Sequence, residues 1–578
     1  MTVNEYQQAP RDIHVVNVEN LTFAYPDGNQ VLKNINLQLQ RGVVLAIMGA
    51  NGAGKTTLCH HLTGIIPHVY PGTTNGKATV AGMNVYEHPI YELAQKVGFV
   101  TQDPEGQLIN PDVLMEVAFG PENIGLPRDE IRKRADWALE AVGLKGLESR
   151  SPSELSGGQK QRLALGAVLT MLPEVLVLDE PTSQLDPLGA SEVFEVLLDL
   201  KKRYGITTIL TTHAAEEVPK YADRVIVLSK GEVIADGIPR DVFKQVDLLD
   251  KSGVETPQLA MLGHKIAPDQ PAWLTVEEGK KQIAQLIEQK KLAPRPISHE
   301  AYVTSSDVAI ECADLTFTYP GPTPVTALRN VNLKIHKGEM VGIIGQNGSG
   351  KTTLVKQFLK VLKPTKGKVL LKGKDIREFT TGSLATSIGL VLQNPDEQLF
   401  TISCQEEVEF GLRNLKLPED EIKRRTDEAL SYVDLLNQKD TFPFRLSFGD
   451  RRSLSVAAVL AMQPEIMILD EPTTAQDYLG RHRIARLAKK LNETGHTVIM
   501  ISHDMNLITQ YAKRTIAMCQ GEVLLDGPTA DVFSQVDTLK KTFIRPPPIS
   551  LLSKELTPYG ISTDTLTVDS LVSSLKRP

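Results

Sequence analysis

A membrane span, a disulfide framework and a basic face are all missing from this sequence. No run reaches the roughly 18 to 20 apolar residues that crossing a bilayer requires; the nearest are Leu163 to Leu172 and Val43 to Ala50. The first residues, MTVNEYQQAP, lack the pattern of a signal peptide, so a cytoplasmic location is expected. The four cysteines are scattered without a CxxC pair, which argues against zinc, iron–sulfur and stapled secreted folds and suits a reducing compartment. With 63 basic residues against 70 acidic and a net charge of -7, no electrostatic footprint for nucleic acid exists. At 578 residues the chain is too long for one hydrophobic core, and at least two domains are expected.

What the chain does have is itself, twice. LTFAYPDGNQVLKNINLQLQRG at residue 21 is answered by LTFTYPGPTPVTALRNVNLKIHKG at residue 315. The correspondence continues in order through VLAIMGANGAGKTTL and VGIIGQNGSGKTTL, GFVTQDPEGQL and GLVLQNPDEQL, VLVLDEPTSQLD and IMILDEPTTAQD, ILTTH and IMISH. Equivalent residues stay 290 to 296 positions apart, so insertions are few. The tails repeat as well, VFKQVD with VFSQVD and LTVEEG with LTVDSL. The expected layout is a first nucleotide-binding domain over 1–240, its extension and linker over 241–305, a second domain over 306–535 and a second extension over 536–578. Proline and small polar residues in 291–307 mark the boundary. Short Val, Ile and Leu runs alternating with helical patterns predict an α/β fold with buried parallel strands, and RVIVLSKGEVIADG and RTIAMCQGEVLLDG predict added hairpins.

Two segments fit GxxxxGK[ST], each after an apolar strand and opening a helix: Gly49, Asn51, Gly52, Gly54, Lys55, Thr56 and Thr57, and Gly345, Asn347, Gly348, Gly350, Lys351, Thr352 and Thr353. Glycines let backbone N–H groups converge on phosphate oxygens, the lysine reaches the β and γ phosphates, and the threonine after it ligates magnesium. VLVLDE and IMILDE place Asp179 and Asp470 at strand ends, suited to the magnesium shell, with Glu180 and Glu471 next to them to polarise an attacking water. Gln102 and Gln393, and His213 and His503, close further strand-like runs and suit water positioning and γ-phosphate sensing. The His60–His61 pair has no partner at metal-ligand spacing and reads as helix surface or packing.

Phosphate loop, glutamine, LSGGQ, strand-end Asp-Glu and histidine in this order resemble the ABC ATPases over roughly 220 residues of each half. The resemblance implies two tandem P-loop NTPase domains, each with a RecA-like core, an antiparallel β subdomain and a helical subdomain. It implies ATP and Mg2+ as cofactors, and Tyr25 and Tyr319 as the aromatics stacking on adenine. It also matches Asp186 and Asp477 to the D-loop aspartate. It implies that two such domains close head to tail, each nucleotide lying between the phosphate loop of one and the signature of the other. The signature is intact in the first half, at Ser156, Gly157, Gly158 and Gln159. The second half reads LSFGD, keeping Ser447 and Gly449 but placing Phe448 and Asp450 where the first has Gly157 and Gln159. An added aromatic and an inward carboxylate would disfavour a γ-phosphate, so the two ATP sites should be unequal.

QDPEGQL and QNPDEQLF carry a second glutamine, Gln107 and Gln398. This arrangement resembles the ATPases of energy-coupling factor transporters, importers of vitamins, vitamin precursors and metal ions. The implied partners are a transmembrane coupling subunit and a substrate-binding membrane subunit. The implied place is peripheral, on the cytoplasmic face of the cell membrane. Acidic residues Glu105, Glu116, Asp396, Glu406 and Glu407 are candidates for meeting basic side chains of the coupling subunit. Two alternatives are the fused ATPase of a sugar importer, which should lack the double glutamine, and a soluble twin-ATPase translation factor, which should carry a long charged helical linker.

Overall fold

A computed structural model describes residues 14–295, 305–321, 324–474 and 476–576. The opening MTVNEYQQAP lies outside them, as does part of the 291–307 boundary stretch. The chain divides into two compact units, 1–274 and 275–578.

In the first unit the runs with no polar alternation become strands buried on both faces: Val44–Met48, Val175–Leu178 and Thr207–Thr211 have every residue buried. Continuous apolar strands of this kind need cover on both sides, which a parallel sheet flanked by helices supplies. The six-stranded sheet runs Glu232–Gly237, Arg224–Ser229, Val44–Met48, Thr207–Thr211, Val175–Leu178, Val97–Val100. All neighbours are parallel except the first pair, the expected hairpin. A second sheet, antiparallel, is built on His14–Ala24 between Gln30–Gln40 and Thr73–Val80. Helices Val113–Asn123, Arg128–Ala141 and Gly157–Leu169 form a third block around Val117, Leu139 and Leu163. The second unit repeats this plan with a six-stranded sheet containing Met340–Ile344, an antiparallel sheet on Val308–Tyr319 and helices Cys404–Asn414, Glu419–Tyr432 and Phe448–Leu460. The α/β architecture with an antiparallel β part and a helical part in each half is as the motifs imply. His61 is fully buried, edge-on to Phe23, so the histidine pair is packing.

The division between units falls at 274/275, ahead of the 291–307 stretch. Helix Val276–Glu288, capped by Thr275, packs on Pro548–Glu555, and Ala293–Pro294 pairs antiparallel with Leu575–Lys576. The physical cause is an apolar stripe carrying Ile283 and Ala284, which finds its cover in the second unit. Ile283 is fully buried, whereas the Lys280–Glu555 ion pair at 2.7 Å is exposed to water. Ile283→Ala should therefore destabilise the second unit by about 2 to 5 kcal/mol. Lys280→Ala should leave its melting temperature unchanged, because a screened pair adds little. Calorimetric melting of both variants checks this, and a larger effect from Lys280→Ala would contradict it.

Candidate functional site

In each unit the phosphate loop is made by a strand that must turn sharply into a helix. Gly54 and Gly350, immediately before the helices Lys55–Leu62 and Lys351–Phe358, have φ of 104° and 102°. A side chain there would be strained, and at Gly350 its Cβ would lie 2.6 Å from the Ala327 carbonyl oxygen. The lysines that follow are nearly buried. Lys55 Nζ donates to the carbonyl oxygens of Gly49 at 2.9 Å and Ala50 at 3.3 Å, and Lys351 Nζ to those of Gly345 at 2.7 Å and Gln346 at 3.1 Å. Each ammonium is thus fixed over its own loop. Tyr25 and Tyr319 stand beside these helices, their hydroxyls 3.4 Å and 3.2 Å from Thr57 Oγ1 and Thr353 Oγ1. Each is held edge-on by Phe23 or Phe317.

Glu180 and Glu471 follow the buried strand ends with φ of 50° and 45°, left-handed backbone on a residue with a full side chain. Such a conformation costs about 1 to 2 kcal/mol and persists where surroundings impose it. Its effect is to bring each carboxylate to the histidine from the neighbouring strand. Glu180 Oε1 lies 2.8 Å from His213 Nε2 and 3.5 Å from Lys55 Nζ, and His213 Nε2 also lies 3.2 Å from Asn51 Oδ1. Glu471 Oε2 lies 2.7 Å from His503 Nδ1 and accepts from the His503 N–H at 3.2 Å. Burial pushes both carboxyls up, but the paired histidine and lysine outweigh it and hold them below the ordinary carboxylate value. Burial would lower His503, yet Glu471 holds it above the usual imidazole value.

The aspartates differ between units. In the first, Thr211 Oγ1 donates to Asp179 Oδ1 at 2.6 Å and accepts from the Glu180 N–H at 2.8 Å. Ile501 occupies the equivalent place in the second, where the Glu471 N–H goes to the Ile501 carbonyl oxygen instead. Burial, with Glu471 beside it, raises Asp470 to about 6; its one hydroxyl contact is Thr352 Oγ1 at 3.5 Å. Glu471 Oε1 is buried with no hydrogen-bond partner among the described residues. A buried pair of carboxylates beside a threonine hydroxyl is an oxygen donor set that suits a hard divalent cation.

The two glutamine segments are closed on themselves. Gln107 Oε1 accepts from the Thr101 N–H at 3.0 Å while its Nε2 donates to the Phe99 carbonyl oxygen; Gln398 Oε1 accepts from the Leu392 N–H at 3.1 Å. Gln102 Nε2 donates to Ser183 Oγ at 3.3 Å, and the exposed Gln393 is anchored through its carbonyl oxygen by Arg452. Arg452 is buried and also donates to the Glu471 carbonyl oxygen at 2.9 Å; burial lowers it to about 10, against Glu471. Its counterpart in the first unit, Gln161, makes no such bridge from Nε2.

One expectation needs correction. Glu116 and Glu407 do not offer charge to a partner: both are buried, and each accepts from two successive backbone N–H groups, of Ile109 and Asn110 or of Phe400 and Thr401. Glu105 and Asp396 pair with Lys160 and with Arg451, the latter at 2.8 Å, but both carboxylates remain exposed. The carboxylates tie the segments together because an unpaired backbone N–H in a tight turn is costly. Asp186 and Asp477 cap the helices that follow, accepting from the Gly189 and Gly480 N–H groups at 2.8 Å.

The intact signature opens helix Gly157–Leu169, where Ser156 Oγ accepts from the Gln159 N–H and Gln159 Oε1 accepts from the Ser156 N–H at 3.0 Å. In the altered one Phe448 lies under the Arg451 and Arg452 guanidinium groups, 5.5 Å from each. Sequence reasoning missed Thr211 and Arg452, and took the buried Glu116 and Glu407 for surface charges. Their signal was available only as differences and agreements between the repeats.

The ABC transporter family description matches residues 32–183 and 328–474, which include both phosphate loops, both signatures and both strand-end acidic pairs. An ABC transporter ATP-binding protein of Caldanaerobacter subterraneus subsp. tengcongensis is 40% identical over 568 residues, covering 97% of this chain and 98% of that one. One of Methanosarcina mazei is 39% identical over 577 residues, covering 97% of both. A solved structure described as cbiO1 from Clostridium perfringens, part of the ABC transporter complex cbiONQ, is 41% identical, covers 41% of this chain and 94% of its own, and has a TM-score of 0.38. The chain is a member of the ABC transporter family, an ATP-binding ATPase subunit with two cassettes in one polypeptide.

Proposed function

We propose that this ATPase drives an importer of the energy-coupling factor type, working on the cytoplasmic face of the membrane to power uptake of a vitamin, vitamin precursor or metal ion. In this reading a transmembrane coupling subunit docks on the two double-glutamine segments, and a separate membrane subunit selects the solute. The observation that supports it is a pair of apolar surfaces at equivalent positions of the two units. Ile109 and Phe119 in the first, and Phe400 and Phe410 in the second, are 43 to 66% exposed. Clustered exposed apolar groups on otherwise polar proteins mark interaction sites. They stand out because Glu116 and Glu407 hold the preceding turn from beneath. Among the described residues no helix is long and apolar enough to cross a membrane, so the transported solute needs other subunits for its path.

Hydrolysis in this reading uses Glu180 and Glu471 as bases and His213 and His503 as γ-phosphate contacts. Thr56 with Asp179, and Thr352 with Asp470, would hold a magnesium ion, which when bound supplies charge neutralisation on the phosphates. Because only the first signature is intact, the two sites work unequally, and the one on Lys351, Asp470, Glu471 and His503 performs most of the turnover. The other, on Lys55, chiefly retains nucleotide.

Replacing both Phe119 and Phe410 by Ser should reduce co-purification of the membrane subunit by about tenfold or more, since truncating a central aromatic anchor commonly costs over about 1 kcal/mol. ATP affinity of the isolated chain should be unchanged. Undiminished co-purification, or recovery of ribosomes in place of a membrane protein, would remove the reading. Glu471→Gln should lower stimulated turnover by about 10² to 10⁴, the usual effect of losing a positioned base. Glu180→Gln should cost much less. Single-turnover assays on the assembled transporter separate chemistry from closure, and equal losses in both variants would show that the sites share the work.

A further inference from the structure

The altered signature is wired differently from the intact one, and the difference centres on a single proton. A serine hydroxyl has one hydrogen to donate. Ser447 Oγ accepts from the Asp450 N–H at 3.1 Å and lies 2.8 Å from Asp450 Oδ2, so its proton goes to that carboxylate. Ser156 Oγ also accepts from the backbone, but the side chain at position 159 is bonded to the Ser156 N–H and leaves the hydroxyl proton alone.

Asp450 is held in this orientation from outside its own helix. Its other oxygen, Oδ1, takes Arg483 Nη1 at 2.8 Å, and Arg483 Nη2 is anchored on the Val433 carbonyl oxygen at 3.0 Å. The first unit ties the same two helices together with the charges exchanged: Arg162 on the signature helix meets Glu192 on the next at 3.1 Å. Ser453 stands where Arg162 is, and Arg483 where Glu192 is. Asp450 is thus one half of a reversed ion pair and does not point its charge outward.

We propose that Asp450, steered by Arg483, is a positioning residue that withholds the Ser447 hydroxyl from a nucleotide. This signature then meets ATP with backbone donors and without its serine donor. A hydroxyl donating to an ionised carboxylate makes one of the stronger hydrogen bonds, so a phosphate oxygen does not readily take it over. The inference rests on the reading that the signatures touch nucleotide, and it gives the inequality of the two sites an atomic cause.

The test is single-turnover hydrolysis by the full chain assembled with its membrane subunits, in Glu180→Gln and Glu471→Gln backgrounds. Asp450→Gln should raise the rate about tenfold or more in one background, a released donor to developing phosphate charge being worth at least that. Adding Ser447→Ala to Asp450→Gln should abolish the gain, a coupling that a merely structural role would not produce. The triple variant D450Q/S453R/R483E rebuilds the first unit's arrangement with its helix-to-helix ion pair. Its gain should match that of Asp450→Gln, which removes instability as an explanation. No gain from either Asp450 variant while Ser156→Ala lowers the rate, or a gain that survives the addition of Ser447→Ala, would overturn the inference and leave the signature reading standing. No effect of Ser156→Ala in any background would sink both.

Discussion

A buried ammonium ion sets the terms for each unit. Lys55 and Lys351 are only 6% exposed, and a charge taken out of water that far must be met by fixed partners. Loop carbonyl oxygens supply the nearest partners, and a strand-end glutamate with its histidine supplies the rest. Much else follows from holding these groups together. The glycine loop has to curl over the lysine. The glutamate has to accept a left-handed backbone, and the parallel strands have to end in register so that glutamate and histidine meet.

Duplication lets the molecule serve as its own comparison. The features that agree in both units are the lysine–carbonyl contacts, the strained glutamates, the tyrosine–threonine contacts, the self-closing second glutamines and the buried carboxylates under the apolar turn. Those that differ lie around the second strand-end aspartate and signature: Ile501 for Thr211, Arg452 for Gln161, and Asp450 with Arg483 for Gln159 with Glu192. Asp470 is pushed up because burial, with Glu471 beside it, disfavours its charge more than the long Thr352 contact favours it. In the second unit a guanidinium, Arg452, bridges the backbone of Gln393 and Glu471.

The phosphate loops, the strand-end acidic pairs and the β hairpins were legible in the sequence because each needs particular residue types at fixed spacing. Other features depend on contacts that no spacing encodes. Glu116 and Glu407 looked like surface charge, since only the folded turn shows that they sit beneath two backbone N–H groups. The helix Val276–Glu288 read as the tail of the first half, because its repeat partner follows the second; its apolar stripe is covered by the helix Pro548–Glu555, far along the chain. Asp450 suggested repulsion, and its direction is decided by Arg483 on another helix.

The exchanged ion pair between the signature helix and its neighbour has a consequence for the gene. Two similar repeats in one reading frame are prone to overwrite each other by recombination. A tract copying the first signature into the second unit would bring Arg162 against Arg483. The reverse copy would place Asp450 near Glu192 and remove the arginine that now pairs with it. Like charges at such separations destabilise. A short exchange between the halves would therefore set like charges against each other at this helix contact.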